Sequence, residues 1–340
     1  MRLLSSFIDR SGKQSGASSP SLLGLFLLLL GPALAAADTP APARSAVAEP
    51  ATSAVPRTLE VADGVYAVVG ATGGRTYDNY ALNANLGFVV TEAGVVLIDS
   101  GAVYAFGPLI EQAVAKLTEQ PIRWVVNLGS QDHRWLGNGY FAERGAEIIA
   151  LARTVETQQA YAASHLQRLR QVLEDRVEGT EPLTAPKPIA ADRAALEIGG
   201  VAMELIWLGD AHYRGDAVLW LPDTGVLFAG DLVYLDRILG VWPHSAIRDW
   251  RDSFQAMEAL SPRLIVPGHG EPADLAKAKA DAGDYLDWLV TKVEAALADW
   301  QPIEEAVAAL ADAPDFAHLE HFDSWHRRNV NETYLQLEAE

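Results

Sequence analysis

Five polar strings in this 340-residue chain follow apolar runs, and they hold most of the side chains suited to chemistry. Asp99-Ser100-Gly101 follows Val95 to Ile98. Asn127 to Asn138 reads Asn-Leu-Gly-Ser-Gln-Asp-His-Arg-Trp-Leu-Gly-Asn. The others are His212-Tyr213-Arg214-Gly215-Asp216, Phe228-Ala229-Gly230-Asp231 and Pro267-Gly268-His269-Gly270. A strand fixes its backbone, and the turn after it aims a side chain into a shared cleft. Imidazole nitrogen and carboxylate oxygen both suit zinc. One loop histidine alone is more often a surface or hydrogen-bonded residue, so the ordered set carries the argument. There is no cysteine, which excludes disulfides, thiolate ligands and cysteine nucleophiles. No Gly-x-Ser-x-Gly, phosphate loop or dinucleotide fingerprint is present.

The elements that would position these strings alternate in type. Residues 65–69, 86–91, 95–98, 124–128 and 148–150 read as strands in the first half, with helices at 108–117, 136–144 and 153–175. Residues 201–207, 217–221, 226–229 and 264–266 read as strands in the second half, with a helix at 250–260 and a helical tail from Leu275. Two similar halves of strands and helices predict an α+β sandwich, its two sheets face to face and its helices outside.

Composition bounds the function. Hydrophobic residues make up 49% of the chain, enough for a sizeable core. A net charge of −19 repels nucleic acid and anionic membrane surfaces. Arg2, Arg10 and Lys13, the apolar run Leu22 to Leu30, and the small residues from Ala33 to Ala37 predict a signal peptide over 1–37. Residues 38–57, rich in Ala, Pro, Ser and Thr, read as a disordered linker before a folded domain over 58–340. The expectation is a periplasmic protein with a small-molecule substrate and no stable membrane association after cleavage. The oligomeric state is not readable.

In their order and content the five strings resemble those of the metallo-β-lactamase superfamily, over about residues 59–270. The resemblance implies a four-layer αβ/βα sandwich with a helical C-terminal tail. It is nearer to exported members linked with sulfur oxidation and quinoprotein systems than to antibiotic-degrading enzymes. Such proteins bind up to two metal ions, the first through a His-x-His pair and the histidine matching His212. The second is held through an Asp-His pair and the histidine matching His269, with the carboxylate matching Asp231 often bridging.

The second string departs from the family pattern Asn-Thr-His-x-His-x-Asp-His-x-x-Gly-Asn. Without a gap, Gly129 and Gln131 stand at the His-x-His pair, His133 at the Asp and Arg134 at the following His. A one-residue slip would match Asp132-His133 to Asp-His, but needs an insertion before Gly137. The implied ligands are then His133, His212, Asp231 and His269. Three states stay open: a single ion on His133, Asp231 and His269 with His212 nearby, an altered two-metal site, or no metal. Zinc is the expected ion, with iron or manganese as alternatives. The leading reading is a hydrolase that attacks an ester, thioester or similar small substrate with metal-activated water. In it Arg134 would stabilise an anionic group and Asp132 or Asp231 would assist proton transfer. The alternative is a non-catalytic periplasmic binding or accessory protein. An iron oxidoreductase is a third class, but its relatives keep the His-x-His pair.

Overall fold

The computed structural model describes residues 55–340, so the expected signal peptide over 1–37 and nearly all of the expected linker lie outside the described residues. The strands are β1 (Arg57–Ala62), β2 (Val65–Val69), β3 (Leu86–Thr91), β4 (Gly94–Ile98), β5 (Ile122–Val126) and β6 (Glu147–Ile149), then β7 (Arg193–Ile198), β8 (Val201–Ile206), β9 (Val218–Leu221), β10 (Val226–Tyr234) and β11 (Leu264–His269). The helices are α1 (Gly107–Ala115), α2 (Asp132–Trp135), α3 (Asn138–Ala142), α4 (Ala152–Leu173), α5 (Ile247–Glu258), α6 (Leu275–Ala278), α7 (Asp284–Ala298), α8 (Ile303–Ala309) and α9 (Phe322–Glu338).

The first six strands form one sheet in chain order, antiparallel up to β4 and parallel from β4 to β6. The second sheet runs β11-β10-β9-β8-β7, with only β10 and β11 parallel. Side chains alternate across each strand, and this periodicity separates the layers. Val65, Ala67 and Val69 of β2 and Val96 and Ile98 of β4 pack between the sheets against Leu205, Leu219 and Phe228. The residues between them, Val68, Val95 and Leu97, face outward onto Leu109 and Ile110 of α1 and Leu166 and Leu169 of α4. On the second sheet Leu227, Ala229 and Val233 face Trp250 and Phe254 of α5 and Leu286 and Leu289 of α7. The result is helix, sheet, sheet, helix, with α8 and α9 widening the last layer through Ala306, Val330 and Tyr334.

Three local readings change. β1 starts at Arg57, inside the expected linker. The helix expected over 136–144 is only the short α3 (Asn138–Ala142), and a separate single turn, α2 (Asp132–Trp135), precedes it, with Gly137 between the two. A Cβ on Gly137 would lie 2.0 Å from the Ser100 carbonyl oxygen, so the loop passes the end of β4 too closely for any side chain. The strand expected over 226–229 continues to Tyr234 with broken register against β11, which places Asp231 within a strand. β7 was not anticipated: Arg-Ala-Ala-Leu-Glu-Ile suits a helix as well as a strand, and its pairing with β8 decides.

Phe228 is fully buried at the centre of the inter-sheet layer. Phe228→Ala is expected to cost about 3–5 kcal/mol in urea unfolding; a loss below about 1 kcal/mol would contradict its place between the sheets.

Candidate functional site

Arg134 is a guanidinium buried in the interior, 1% exposed. Nε and Nη2 donate side by side to Oδ2 and Oδ1 of Asp231, at 3.2 and 2.5 Å. Nη1 donates to Asp99 Oδ2 at 3.0 Å and to the Asn85 carbonyl at 2.7 Å, and Nη2 also reaches the Gly268 carbonyl at 3.3 Å. A guanidinium has five N–H donors, and each has an acceptor here. Burial by itself would raise the Asp231 pKa, yet Arg134 and then His133 hold it well below the usual carboxylate range. Burial lifts Asp99 to about 7 against the pull of Arg134 and of the Leu128 N–H. The loop carrying Arg134 is braced by Asn127 and Asn138. Asn138 Nδ2 donates to Asn127 Oδ1 at 2.7 Å, and Asn127 Nδ2 to the Arg134 carbonyl at 3.2 Å.

Around Asp231 stand three imidazoles. His133 Nε2 lies 3.3 Å from Oδ2 and His269 Nε2 lies 3.3 Å from Oδ1. One ligand atom from each of His133, Asp231 and His269 falls within 4.8 Å of the others, and all three residues are buried. His212 Nε2 is 3.1 Å from the Gln131 amide. Burial lowers all three histidines, His133 to about 4 and His212 to about 3, so the rings are neutral at pH 7. Each neutral ring carries one proton, and its neighbours decide where. His269 Nδ1 faces the Asn83 carbonyl and must donate to it, so its Nε2 presents a lone pair towards Asp231. His133 Nδ1 faces Arg75 Nη2 at 2.7 Å, a group that only donates. Its proton therefore sits on Nε2 and points at Asp231. The Gln131 amide is best turned so that its nitrogen donates to His212 Nε2 at 3.1 Å and Asp231 Oδ2 at 3.2 Å, while its oxygen accepts from Arg75 at 3.0 Å.

The sequence profile of the metallo-beta-lactamase superfamily matches residues 79–269, more than half of the chain. This protein belongs to that superfamily. The metallo-beta-lactamase IND-1 of Chryseobacterium indologenes is 26% identical over 211 residues, which cover 61% of this chain and 78% of that one. The type 2 metallo-beta-lactamase of Bacillus sp. (strain 170) is 24% identical over 188 residues, 54% of this chain and 65% of its own. A metallo-beta-lactamase structure from Pontibacter korlensis superposes with a TM-score of 0.53 at 20% identity, covering 68% of this chain and 99% of that one. The last likeness bears on the fold alone.

The superfamily's two metal positions fare differently. At the first, Gly129 has no side chain, and a Cβ there would meet Asp216 Oδ1 at 2.9 Å. Gln131 aims an N–H₂ donor at Asp231 and His212. A donor occupies the space where a cation would sit, so this position does not fit a metal. At the second, His269 Nε2 and Asp231 Oδ1 face each other without a proton between them, which a cation would relieve. His133 completes that position only when Arg75 leaves its Nδ1, because a ligating histidine normally donates from its other nitrogen. The second position fits one ion on that condition.

Above the cluster lies a cavity of about 450 Å³. His212, His269, Gln131 and Arg75 line it, whereas His133, Asp231, Asp132 and Arg134 are not part of its wall. This corrects two expected roles. Arg134 has no donor left for a substrate and acts on Asp231 instead. Asp132 is fully buried, bonded to Arg75 Nη1 at 2.6 Å, and held ionised by Arg75, His165 and His133 against the opposing effect of burial, so it has no path to a substrate proton. Arg75, Asn83 and His165 escaped sequence reading. Arg75 is one basic residue in a Gly-rich loop whose partners come from far along the chain. Of the other histidines, His244 and His321 line the cavity, His318 is exposed, and His326 is buried against Tyr285 and the Leu310 carbonyl.

Removing the Arg134 fork leaves two buried carboxylates without their counter-charge. Arg134→Met is expected to cost about 3–5 kcal/mol of unfolding free energy, with Arg134→Lys recovering only part because a single ammonium cannot span both oxygens. Wild-type stability in Arg134→Met would show that the clamp is not formed.

Proposed function

We propose that this protein is an exported hydrolase of its superfamily, working with one metal ion held by His133, Asp231 and His269, with His212 beside it. The observation that carries this reading is the buried cluster whose ligand atoms lie within 4.8 Å of one another. Ligand atoms around tetrahedral zinc, with bonds of about 2.0–2.1 Å, stand roughly 3.3 Å apart; His133 Nε2 lies that far from one oxygen of Asp231, Oδ2, and His269 Nε2 that far from the other, Oδ1. Zinc bound there would supply a water that ionises near neutral pH. The chain's own residues do the rest. Arg134 keeps Asp231 ionised and fixes its orientation. The Asn83 carbonyl fixes the His269 ring, and Tyr234 stacks on that ring at 4.4 Å between centroids. Arg75, in the cavity wall with a side chain 18% exposed, takes over the role of facing negative charge on a reacting oxygen. A small ester or thioester is the substrate class in view; the metallo-beta-lactamase names of the relatives would support a cyclic amide as its alternative.

A second reading has its own support. With Arg75 on His133 Nδ1 and the Gln131 amide on His212 and Asp231, nearly every polar atom around the cluster is satisfied without metal. That favours a periplasmic binding or accessory protein. Elemental analysis after loading with zinc, iron or manganese separates the two. About one equivalent of metal is expected, and His269→Ala is expected to lose metal and ester hydrolysis together. A wild-type protein that retains no metal overturns the hydrolase reading.

For export, the mature protein is expected to begin at Ala36 or Asp38, checked by N-terminal sequencing of the periplasmic fraction. An intact Met1 in that fraction would contradict cleavage.

A further inference from the structure

The cavity wall carries Arg75, Arg168 and Arg237 and not one Asp or Glu, although the chain as a whole has a charge of −19. Arg75 is matched by Asp132. Arg237 has no such match. It is 2% exposed, and its one hydrogen bond runs from Nη1 to the Thr72 carbonyl at 2.8 Å. Its Nε is buried without a partner. Among the described residues it forms no ion pair; Tyr234, Glu320 and Asp231 act on it only through the field, and burial pulls its pKa down. A guanidinium taken out of water is strongly unfavourable unless an anion meets it. The edge of Arg237 left without an acceptor, Nε with Nη2, has the side-on spacing that receives both oxygens of a carboxylate.

Flat apolar surface adjoins this charge. The Trp325 ring lies 4.8 Å from the Arg237 guanidinium carbon. Trp242 meets Trp325 edge-on at 6.4 Å, and both line the cavity. Arg328 stacks on Trp242 at 3.9 Å and fixes that ring from behind. Trp325 belongs to α9, beyond the residues 79–269 that the superfamily profile matches. One face of the selective wall, Trp325, therefore comes from this chain's own C-terminal segment.

We propose that the cavity binds a small aromatic carboxylate, its two oxygens on Arg237 and its ring against Trp325 and Trp242. This rests on the hydrolase reading only in making that ligand the substrate or product; binding itself needs no metal. The test is calorimetric titration of the mature full-length protein, as purified and with added zinc, using 2-naphthoate and its neutral analogue 2-naphthamide as probes.

Naphthoate is expected to bind at least about tenfold more tightly than the amide, as loss of a charge-assisted hydrogen bond implies. Arg237→Gln is expected to abolish that preference, and Trp325→Leu to weaken both probes. Equal binding of acid and amide overturns the proposal, as does an Arg237→Gln variant that melts like wild type and keeps the preference. Should Arg237→Gln fail to fold, Arg237→Lys decides: a single ammonium cannot receive both oxygens side by side, so a reduced acid preference supports the proposal and an unchanged preference overturns it. Acid preference without any retained metal sinks the hydrolase reading and leaves this one standing. Retained metal without acid preference does the reverse.

Discussion

The guanidinium of Arg134 joins parts of the protein that otherwise meet only through apolar packing. Asp99 lies just after β4 in the first sheet, and the Asn85 carbonyl lies just before β3. Asp231 belongs to β10 and Gly268 to β11 in the second. One planar cation thus ties both sheets together where their loops converge. A buried charge is tolerated only when its hydrogen bonds are complete, and this one has five acceptors for five donors. The cost of the arrangement falls on Asp99, which burial lifts to about 7 even beside Arg134. Everything around Asp231 inherits its orientation from this clamp, because both carboxylate oxygens are held from behind and face the imidazoles with what remains.

That constraint divides the histidines by what stands on their far side. His269 has a carbonyl behind it and so turns a lone pair towards Asp231. His133 has a guanidinium behind it and so turns a proton. The same side chain on the same carboxylate, at the same 3.3 Å, is therefore poised for metal in one case and for a hydrogen bond in the other. The difference lies in Arg75, which sits at the cavity wall and is the most exposed member of the set: 18% for its side chain, against 0% for Asp132 and His133. Occupancy of the cluster by a cation and the position of Arg75 are alternatives at His133 Nδ1, and a ligand that draws Arg75 into the cavity would favour the cation.

Much of the architecture was legible because it follows from periodicity. The alternation that sends Val96 and Ile98 inward and Val95 and Leu97 outward is written in β4, and the polar strings after such strands marked the site. His133, Asp231 and His269 converge although 136 residues of sequence separate the first and last of them. What escaped was decided by contacts between distant segments. Arg75 has no local signal, since its partners Asp132 and His133 lie 57 and 58 residues away. Arg134 was legible as a charge near the site, but not as one facing away from the cavity. Nothing in the string Asp-His-Arg-Trp tells which face of a single helical turn looks at the core. β7 was missed for the same reason, because an edge strand with alternating half-exposed residues is set by its neighbour.

The departures from the superfamily's metal motif behave as a coordinated replacement, not as erosion. Loss of ligands by drift would leave polar groups facing each other without partners, and such groups are costly when buried. Instead, the Asp216 carboxylate approaches the space left at Gly129, the Gln131 amide bridges His212 and Asp231, and Arg134 fills its surroundings with donors matched to acceptors. Asp216 Oδ1 and His212 Nδ1 are left over, and burial pushes the Asp216 carboxyl well above its usual range and towards the neutral form. Positive charge that two ions bring elsewhere in the fold comes here largely from guanidinium groups, which cannot dissociate and cannot activate water. On the proposed reading, chemistry depends on the place where a lone pair and a carboxylate oxygen meet with no proton between them, at His269 and Asp231, and recognition depends on Arg237, which forms no ion pair among the described residues.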